Sequence, residues 1–469
     1  MAALAAILLP SFLTAQITFQ RTYGGVYEDY GSSVQQTTDG GYVVAGTTTS
    51  FGAGQEDIYV LRLDAYGDTV WTRTYGGPGF DEGHSAQQTK DSGFVIAGDM
   101  DDSGGGLNVF LIKTDAHGNE VWTGTYGYVD MDFGWSVQQT TDSGYVVAGY
   151  TFLNGTNNTD VYLVKTDAHG DTLWTRTFGG LGSEAGYSVR QTTDGGYIVA
   201  GLTSSFGAGG EDVYLVRTNA NGDTTWTRTF GGSQWDIGYS VQQTTDAGFI
   251  IVGYAESFGT RGDVYLIKTD ASGDTLWTKT FGGDSNDCGE SVRQTADGGY
   301  IVAGTTSSFG SGGVYLVKTD ANGDTEWTRT YGGTNSEWSM SVGCTSDGGY
   351  VIIGATQSFG AGLYDVYLIK TDSLGNVAVA EPRQPQAASL KLQAEPNPCR
   401  SSTVLHLTTG PLDHSTTLRI YDASGRLVWS EPVRTSSLIL HPSSLPAGAY
   451  FLRLNAGDQH ATTRLVVQR

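Results

Sequence analysis

The sequence predicts an all-β fold, a seven-bladed β-propeller followed by a small Ig-like β-sandwich. The chain consists of short runs of alternating apolar and polar residues between turns of Gly, Asp, Ser and Thr, and it lacks long runs with helical periodicity. One unit of about 50 residues also recurs along the chain, a length typical of propeller repeats. A tryptophan marks six copies at intervals of 51, 52, 52, 51 and 50 residues: Trp71, Trp122, Trp174, Trp226, Trp277 and Trp327.

Each copy contains four strand candidates. In the fourth copy, Ser188–Thr192 and Tyr197–Gly201 flank the turn 193–196. A longer loop leads to a hairpin, Asp212–Gly232, whose turn residues Asn and Gly favour positive φ. Seven copies of the first three strands are present, so the repeat predicts seven blades.

The fourth strand is displaced along the chain. The last copy has no tryptophan strand, whereas Phe19–Gly25 has the pattern of that strand and precedes the first copy. We expect Phe19–Gly25 to pair with Asp365–Thr371 and close the ring, because closure removes a free sheet edge.

Charge argues against some partners. The chain of 469 residues has a net charge of -23. From Lys391 onward there are eight Lys/Arg and five Asp/Glu, net +3, so the rest carries 18 against 44, net -26. Such an acidic surface repels phosphate backbones, which predicts no nucleic-acid partner. The three cysteines, Cys288, Cys344 and Cys399, form neither a disulfide framework nor a metal-ligand spacing.

Composition divides the chain into four segments. Residues 1–15 are apolar and end in a Leu-Thr-Ala pattern suited to a signal peptide, although no Lys or Arg precedes the apolar run; a buried first strand is the alternative. Residues 17–376 form the propeller, 377–390 a Pro-containing linker, and 391–469 a sorting β-sandwich. No segment is long and apolar enough to predict a transmembrane span.

The repeated hairpin resembles a known repeat. In this hairpin the third strand is followed by Asp-x-x-Gly and then by Trp. This pattern, about 11 residues per blade, is similar to the tryptophan-docking repeat of quinoprotein propellers. The resemblance implies that each indole packs between adjacent blades. Because no adjacent cysteine pair is present and the family's Thr-Gly-Lys is x-Gly-Asp or x-Gly-Asn here, the resemblance implies no quinone, and we predict no cofactor.

The last segment resembles a second family. Pro396-Asn397-Pro398, the run Tyr421–Arg426, Gly448–Phe451 and a final basic-aliphatic strand follow in the order found in the C-terminal sorting domain of type-nine (Por) secretion cargo. The resemblance implies a secreted protein at the outer cell surface and contact between 391–469 and the secretion machinery. We therefore expect Lys391–Arg469 to be a sorting signal for secretion rather than part of the functional site.

One acidic residue precedes every predicted first strand. These residues are Asp29, Asp81, Asp132, Glu184, Asp236, Asp287 and Glu337. They form either a cation-attracting ring at the channel mouth or caps for backbone N–H groups at the blade junctions. A residue repeated in every blade usually serves the repeat, which favours the caps.

Departures from the repeat indicate a candidate binding site. The loops of copies two and three lack the Ser-Phe-Gly of the others: the first is rich in Asp and the second in Asn, with further acidic residues, a histidine and a tryptophan nearby. Oxygen-rich, glycine-containing loops suit Ca²⁺, but the spacing matches no known Ca²⁺ motif. The candidate residues are Asp81, Glu82, His84, Asp99, Asp101, Asp102, Asp130, Asp132 and Trp135.

No catalytic constellation is recognisable. The chain lacks a Gly-x-Ser-x-Gly elbow, and its carboxylate pairs are those any acidic repeat supplies. The leading hypothesis is a binding or scaffold module for an extracellular glycan, protein or polymer. The alternative is a hydrolase or lyase that acts on extracellular polysaccharide with carboxylates on the channel face.

Overall fold

The computed structural model describes residues 16–101, 106–127, 131–152, 158–259, 261–310, 312–377, 391–395, 403–408, 417–423, 426–432, 437–440, 445–456 and 459–468. The predicted signal peptide and nearly all of the predicted linker lie outside these ranges. Regular structure within them is all β, as predicted, and they contain no helix that could cross a membrane. The chain forms two compact units, Met1–Val379 and Ala380–Arg469.

The first unit contains seven four-stranded antiparallel sheets in its described residues. Its strands are β1 Phe19–Tyr23, β2 Asp29–Gln36, β3 Tyr42–Thr48, β4 Asp57–Leu63, β5 Thr69–Tyr75, β6 Asp81–Gln88, β7 Phe94–Asp101, β8 Leu107–Thr114, β9 Glu120–Tyr126, β10 Asp132–Gln139, β11 Tyr145–Phe152, β12 Thr159–Thr166, β13 Thr172–Phe178, β14 Glu184–Gln191, β15 Tyr197–Thr203, β16 Asp212–Thr218, β17 Thr224–Phe230, β18 Asp236–Gln243, β19 Phe249–Ala255, β20 Asp263–Thr269, β21 Thr275–Phe281, β22 Asp287–Gln294, β23 Tyr300–Thr306, β24 Gly313–Thr319, β25 Thr325–Tyr331, β26 Glu337–Cys344, β27 Tyr350–Thr356 and β28 Asp365–Thr371.

The ring closes as predicted. Strand β1 pairs antiparallel with β28, and Phe19 lies opposite Lys370 and Tyr23 opposite Val366. The first strand of each sheet packs against the first strands of both neighbours, and β2 packs against β26. The sheets therefore surround a central channel walled by seven first strands, and the predicted propeller is confirmed.

The core lies in the middle of each sheet. Every residue of β3 and β4 is buried, which suits their Val, Ile, Leu and Tyr side chains. The outermost strands are largely exposed: Leu173 on β13 is 56% exposed. Burial therefore falls from the middle strands to the rim.

The tryptophans pack between neighbouring sheets, as the repeat predicted. Trp174 meets Tyr197 of the next sheet edge-on, with ring centroids 5.7 Å apart. The turn residue Gly222 has a φ of 80°, and a Cβ there would lie 2.8 Å from Trp174 Cζ3. Glycine thus serves both the left-handed turn and the close approach of the indole.

Each first strand contains one β-bulge at its fourth residue. In β2 the pairing register with β3 shifts between Gly31 and Ser33, so Ser32 has no direct partner. The same shift occurs in all seven first strands. A bulge redirects the side chain of the extra residue, and here it turns seven equivalent side chains toward the channel.

The second unit contains two sheets in its described residues. Its strands are β29 Lys391–Glu395, β30 Thr403–Thr408, β31 Thr417–Asp422, β32 Leu427–Pro432, β33 Ser437–Leu440, β34 Gly448–Ala456 and β35 Gln459–Val467. One sheet has the order β29-β30-β33 and the other β32-β31-β34-β35. The core includes Leu418, Ile420, Leu452 and Leu465, all fully buried.

Candidate functional site in the central channel

The repeated acids lie buried at the junctions between sheets, with relative exposures of 3% or less. Asp236 accepts hydrogen bonds from Gly232 N at 2.8 Å and Ser257 Oγ at 2.5 Å. Glu184 accepts from Gly180 N at 2.8 Å and Thr203 Oγ1 at 2.6 Å. These carboxylates cap donors within the wall, so the capping interpretation is confirmed for these junctions.

Several predicted site residues belong to this wall. Asp81 accepts a hydrogen bond from Gly77 N at 2.6 Å and another from Asp101 N at 3.1 Å. Asp132 is fully buried at the equivalent junction. The carboxylate of Asp101 lies beside Gly79, not in the channel. Asp102 and Asp130 lie outside the described residues.

The channel contains a cavity of about 360 Å³ lined by one fourth residue from each first strand. We call these seven residues the fourth-residue layer: Ser32, His84, Trp135, Tyr187, Tyr239, Glu290 and Met340. The structure thus brings together two predicted site residues, His84 and Trp135, with five that the sequence analysis did not select. Aromatic walls with a few convergent polar groups are typical of ligand pockets.

His84 is held by a buried carboxylate. Its Nε2 lies 2.8 Å from Asp99 Oδ2 and 3.7 Å from Glu82 Oε2. Asp99 is 2% exposed and also accepts a hydrogen bond from Gly134 N at 2.7 Å. Burial lowers the pKa of His84, but the charge and hydrogen bond of Asp99 together with the charge of Glu82 outweigh it and leave that pKa above its usual value.

Three aromatic side chains continue the layer from His84. Trp135 stacks on the imidazole with centroids 4.3 Å apart and an interplanar angle of 20°. Tyr187 meets Trp135 edge-on at 5.5 Å, and Tyr239 follows Tyr187 at 5.4 Å. These contacts cross four consecutive sheets and form a continuous aromatic wall along one side of the channel.

Glu290 is the acid of this layer. Burial raises its pKa to about 7, although the Cys288 thiol donates a hydrogen bond at 3.1 Å that acts in the opposite direction. The carboxyl group also raises the pKa values of Tyr187 and Tyr239, in addition to the larger effect of burial on each phenol. At neutral pH, Glu290 can therefore donate or accept a proton beside the tyrosines.

One cluster in the described ranges has ligand atoms close enough to hold a metal ion. Glu82, His84 and Asp99 each offer one such atom, and these lie within 4.8 Å of one another. An imidazole with two carboxylates suits a transition-metal dication better than Ca²⁺, which prefers an all-oxygen shell. The oxygen-rich loops that suggested Ca²⁺ lie partly outside the described residues.

The residues missed by sequence reasoning share a simple signal. Three positions after each repeated acid, the seven copies carry six different residue types (Ser, His, Trp, Tyr, Glu and Met, with Tyr in two copies), whereas the next position is Ser in every copy. Position-by-position variation within an otherwise regular strand could have identified this layer.

Comparisons with known proteins agree with the two-part organisation. Residues 395–468 match a family described as a secretion system C-terminal sorting domain. Residues 37–69 and 192–224 match a β-propeller domain family of unknown function. Regulatory protein FlaEY of Caulobacter vibrioides is 27% identical over 199 residues, 36% of this chain and 21% of that protein.

Two solved structures show distant similarity to the chain. PorZ, a surface component of the type-IX secretion system of Porphyromonas gingivalis, is 13% identical, with 93% of this chain and 51% of that chain covered and a TM-score of 0.33. The Pan2 WD40 domain of Neurospora crassa is 9% identical, with 72% and 88% covered and a TM-score of 0.44. By its repeats and its tail, the chain is a β-propeller protein that carries a type IX secretion sorting domain, which directs it to the cell surface or the extracellular space.

Proposed function

We propose that the protein is a surface-displayed binding module that takes part of an extracellular glycan into the fourth-residue layer of its channel. The observation that carries the proposal is the contrast within each first strand. Its first and fifth residues are repeated and serve the wall, whereas the fourth changes from sheet to sheet and faces the cavity. A side chain that the wall does not require is available to contact a ligand.

The chemistry of the layer suits a sugar. A pyranose presents C–H faces that pack on aromatic rings and hydroxyl groups that need hydrogen-bond partners. Trp135, Tyr187 and Tyr239 offer the apolar faces, and His84 and Glu290 offer polar groups. The acidic charge of the propeller further favours a neutral or cationic sugar over an acidic one in this layer.

A glycan array probed with the full chain tests the proposal. We expect at least one oligosaccharide to bind and Tyr187→Ala to weaken its binding by tenfold or more, because the variant removes the middle of the aromatic wall. The matched control is Tyr66→Ala, which removes a tyrosine that is 43% exposed in a hairpin turn. No binding by the wild type, or equal loss in both variants, would contradict the proposal.

A second candidate, a polysaccharide hydrolase or lyase, is favoured by one observation. Glu290 has a pKa of about 7 and shares its layer with the His84–Asp99 pair. A carboxylic acid protonated near neutral pH can act as a general acid, and a histidine with a carboxylate partner can act as a base.

The two candidates differ in what Glu290→Gln does. If the protein only binds glycan, no new reducing ends appear with wild type or variant on any glycan that binds. If it is an enzyme, the wild type releases products, whereas Glu290→Gln retains glycan binding and loses turnover by about 100-fold or more. Product analysis of the same glycan–protein mixtures decides between them.

A further inference from the structure

A second layer lines the channel three residues further along each first strand, about 10 Å away at the usual rise per residue. We call it the seventh-residue layer: Gln35, Gln87, Gln138, Arg190, Gln242, Arg293 and Gly343. All seven except Gly343 carry hydrogen-bonding side chains. A cavity of about 440 Å³ is lined by this layer and its neighbours.

The four glutamines present donors to this cavity. Gln87 Oε1 accepts a hydrogen bond from Gln139 N at 2.6 Å, and Gln138 Oε1 accepts one from Gln191 N at 2.6 Å. Gln35 and Gln242 make the same contact with the next first strand, at 2.7 and 2.8 Å. Because a backbone N–H occupies each amide oxygen, the NH₂ end is the group left for a ligand.

Two sheets replace this glutamine with arginine. Arg190 donates from Nη1 to Val189 O at 2.8 Å, and Arg293 donates to Val292 O at 2.8 Å. Within the described part of the chain, neither guanidinium forms an ion pair with a carboxylate. Burial lowers the pKa of Arg190 to about 9, and the positive charge of Arg293 contributes to that shift. Two like charges thus share the channel without compensation.

Nearby carboxylates are already engaged. The turn that follows each first strand carries an aspartate, and each aspartate pairs with a buried Lys or Arg of its own sheet. The seven pairs are Asp39–Arg62, Asp91–Lys113, Asp142–Lys165, Asp194–Arg217, Asp246–Lys268, Asp297–Lys318 and Asp347–Lys370. Arg190 and Arg293 are partly buried, and the described residues supply neither with a carboxylate partner, although charges removed from water are normally paired.

We infer that the seventh-residue layer is an anion site that binds an oxyanion, through the Arg190 and Arg293 guanidinium groups and the surrounding glutamine amides. Guanidinium groups match the planar or tetrahedral oxygens of carboxylate, sulfate and phosphate groups. The site is separate from the glycan-binding layer and does not depend on it. The oxyanion is either a free ion or the acidic group of a polymer end, and the two share the same chemistry.

The test uses the full chain and isothermal titration calorimetry at constant ionic strength, with sodium sulfate in one arm and a trimer of galacturonic acid in the other. We expect saturable binding of sulfate to the wild type. Arg190→Gln and Arg293→Gln should each weaken it by tenfold or more, because each removes one of two guanidinium groups. Glutamine stands at this position in four other sheets, so both variants should fold.

Two controls make the result specific. Arg176→Gln removes an arginine on the outer strand β13, whose side chain is 37% exposed, and should leave sulfate binding unchanged. Tyr187→Ala should also leave it unchanged, which separates this site from the proposed glycan site. Binding of sulfate alone assigns a free ion, and binding of the trimer as well assigns an acidic polymer end.

The inference is overturned if the wild type binds neither probe saturably, or if Arg190→Gln and Arg293→Gln bind as the wild type does. Melting temperatures give a second measurement. Without sulfate, each channel variant should melt higher than the wild type, since it relieves the repulsion between two uncompensated charges. Addition of sulfate should raise the melting temperature of the wild type by more than that of either variant. Equal melting shifts in all proteins would also contradict the site.

Discussion

The repeated junction acids and the single acid of the fourth-residue layer all lie on first strands but have different roles. The junction acids are repeated in every sheet and buried, and Asp287, for example, accepts a hydrogen bond from Gly283 N. Glu290, three residues away, occurs once, faces the cavity and has its pKa raised to about 7. The difference shows that repetition in a propeller marks structural roles, whereas variation at one bulged position marks the surface available to a ligand.

The largest expected effect comes from removing a junction acid. Asp287 accepts hydrogen bonds from Gly283 N at 2.9 Å, Ser308 Oγ at 2.5 Å and Thr306 Oγ1. Asp287→Ala leaves these donors without their acceptor, so we expect the free energy of unfolding to fall by about 3–5 kcal/mol. Urea denaturation measures it. The control Asp68→Ala, at an exposed turn position, should cost less than about 0.5 kcal/mol. Similar decreases in the free energy of unfolding for both variants would show that the junction carboxylate stabilises the fold no more than an exposed one.

The next effect concerns packing between sheets. Trp174 is partly buried against Tyr197, and Arg176 lies over its ring at 5.4 Å from the centroid. We expect Trp174→Ala to cost about 2–3 kcal/mol, less than the loss of a fully buried aromatic, because one face remains accessible. Denaturant midpoints measure the loss. Leu173→Ala, at the exposed neighbouring position, is the matched control. A midpoint equal to the wild type for Trp174→Ala would contradict the docking role.

The smallest expected effect is a pH dependence of the free energy of unfolding that comes from Glu290. Its pKa in the folded protein, about 7, lies above the value of an unfolded glutamate, so the fold is favoured while Glu290 is protonated. That contribution is fully present below about pH 4 and is lost as pH rises through 7. Glu290→Gln cannot ionise, so the variant should not show this loss of stability with rising pH.

The measurement for Glu290 is the free energy of unfolding at pH 5.5 and pH 8.5. Between these values we expect the wild type to lose up to about 2 kcal/mol more than Glu290→Gln, which is less than the full shift implies because part of the loss occurs below pH 5.5. Parallel pH profiles for the two proteins would mean that Glu290 ionises as freely as an exposed glutamate and that the channel does not perturb it.

The repeat, the sheet content and the closing strand can all be predicted from the order of residues along the chain. Alternating apolar residues and turn glycines specify strands and hairpins locally, and the displaced Phe19–Gly25 strand can only satisfy its edge by pairing with β28. The segment 395–468 is likewise a linear pattern of motifs, so the order of residues along the chain is enough to indicate its sorting role.

Which residues meet in the channel depends on how the sheets fold and pack together. Tyr187, Tyr239 and Glu290 are 52 and 51 residues apart along the chain, and although each follows a repeated acid by three positions, that spacing does not show which way its side chain faces. They meet because a bulge shifts the register of every first strand at the same place and the ring brings the seven bulges around one axis. Bulges depend on pairing between strands, which is a property of the folded sheet and not of any single segment.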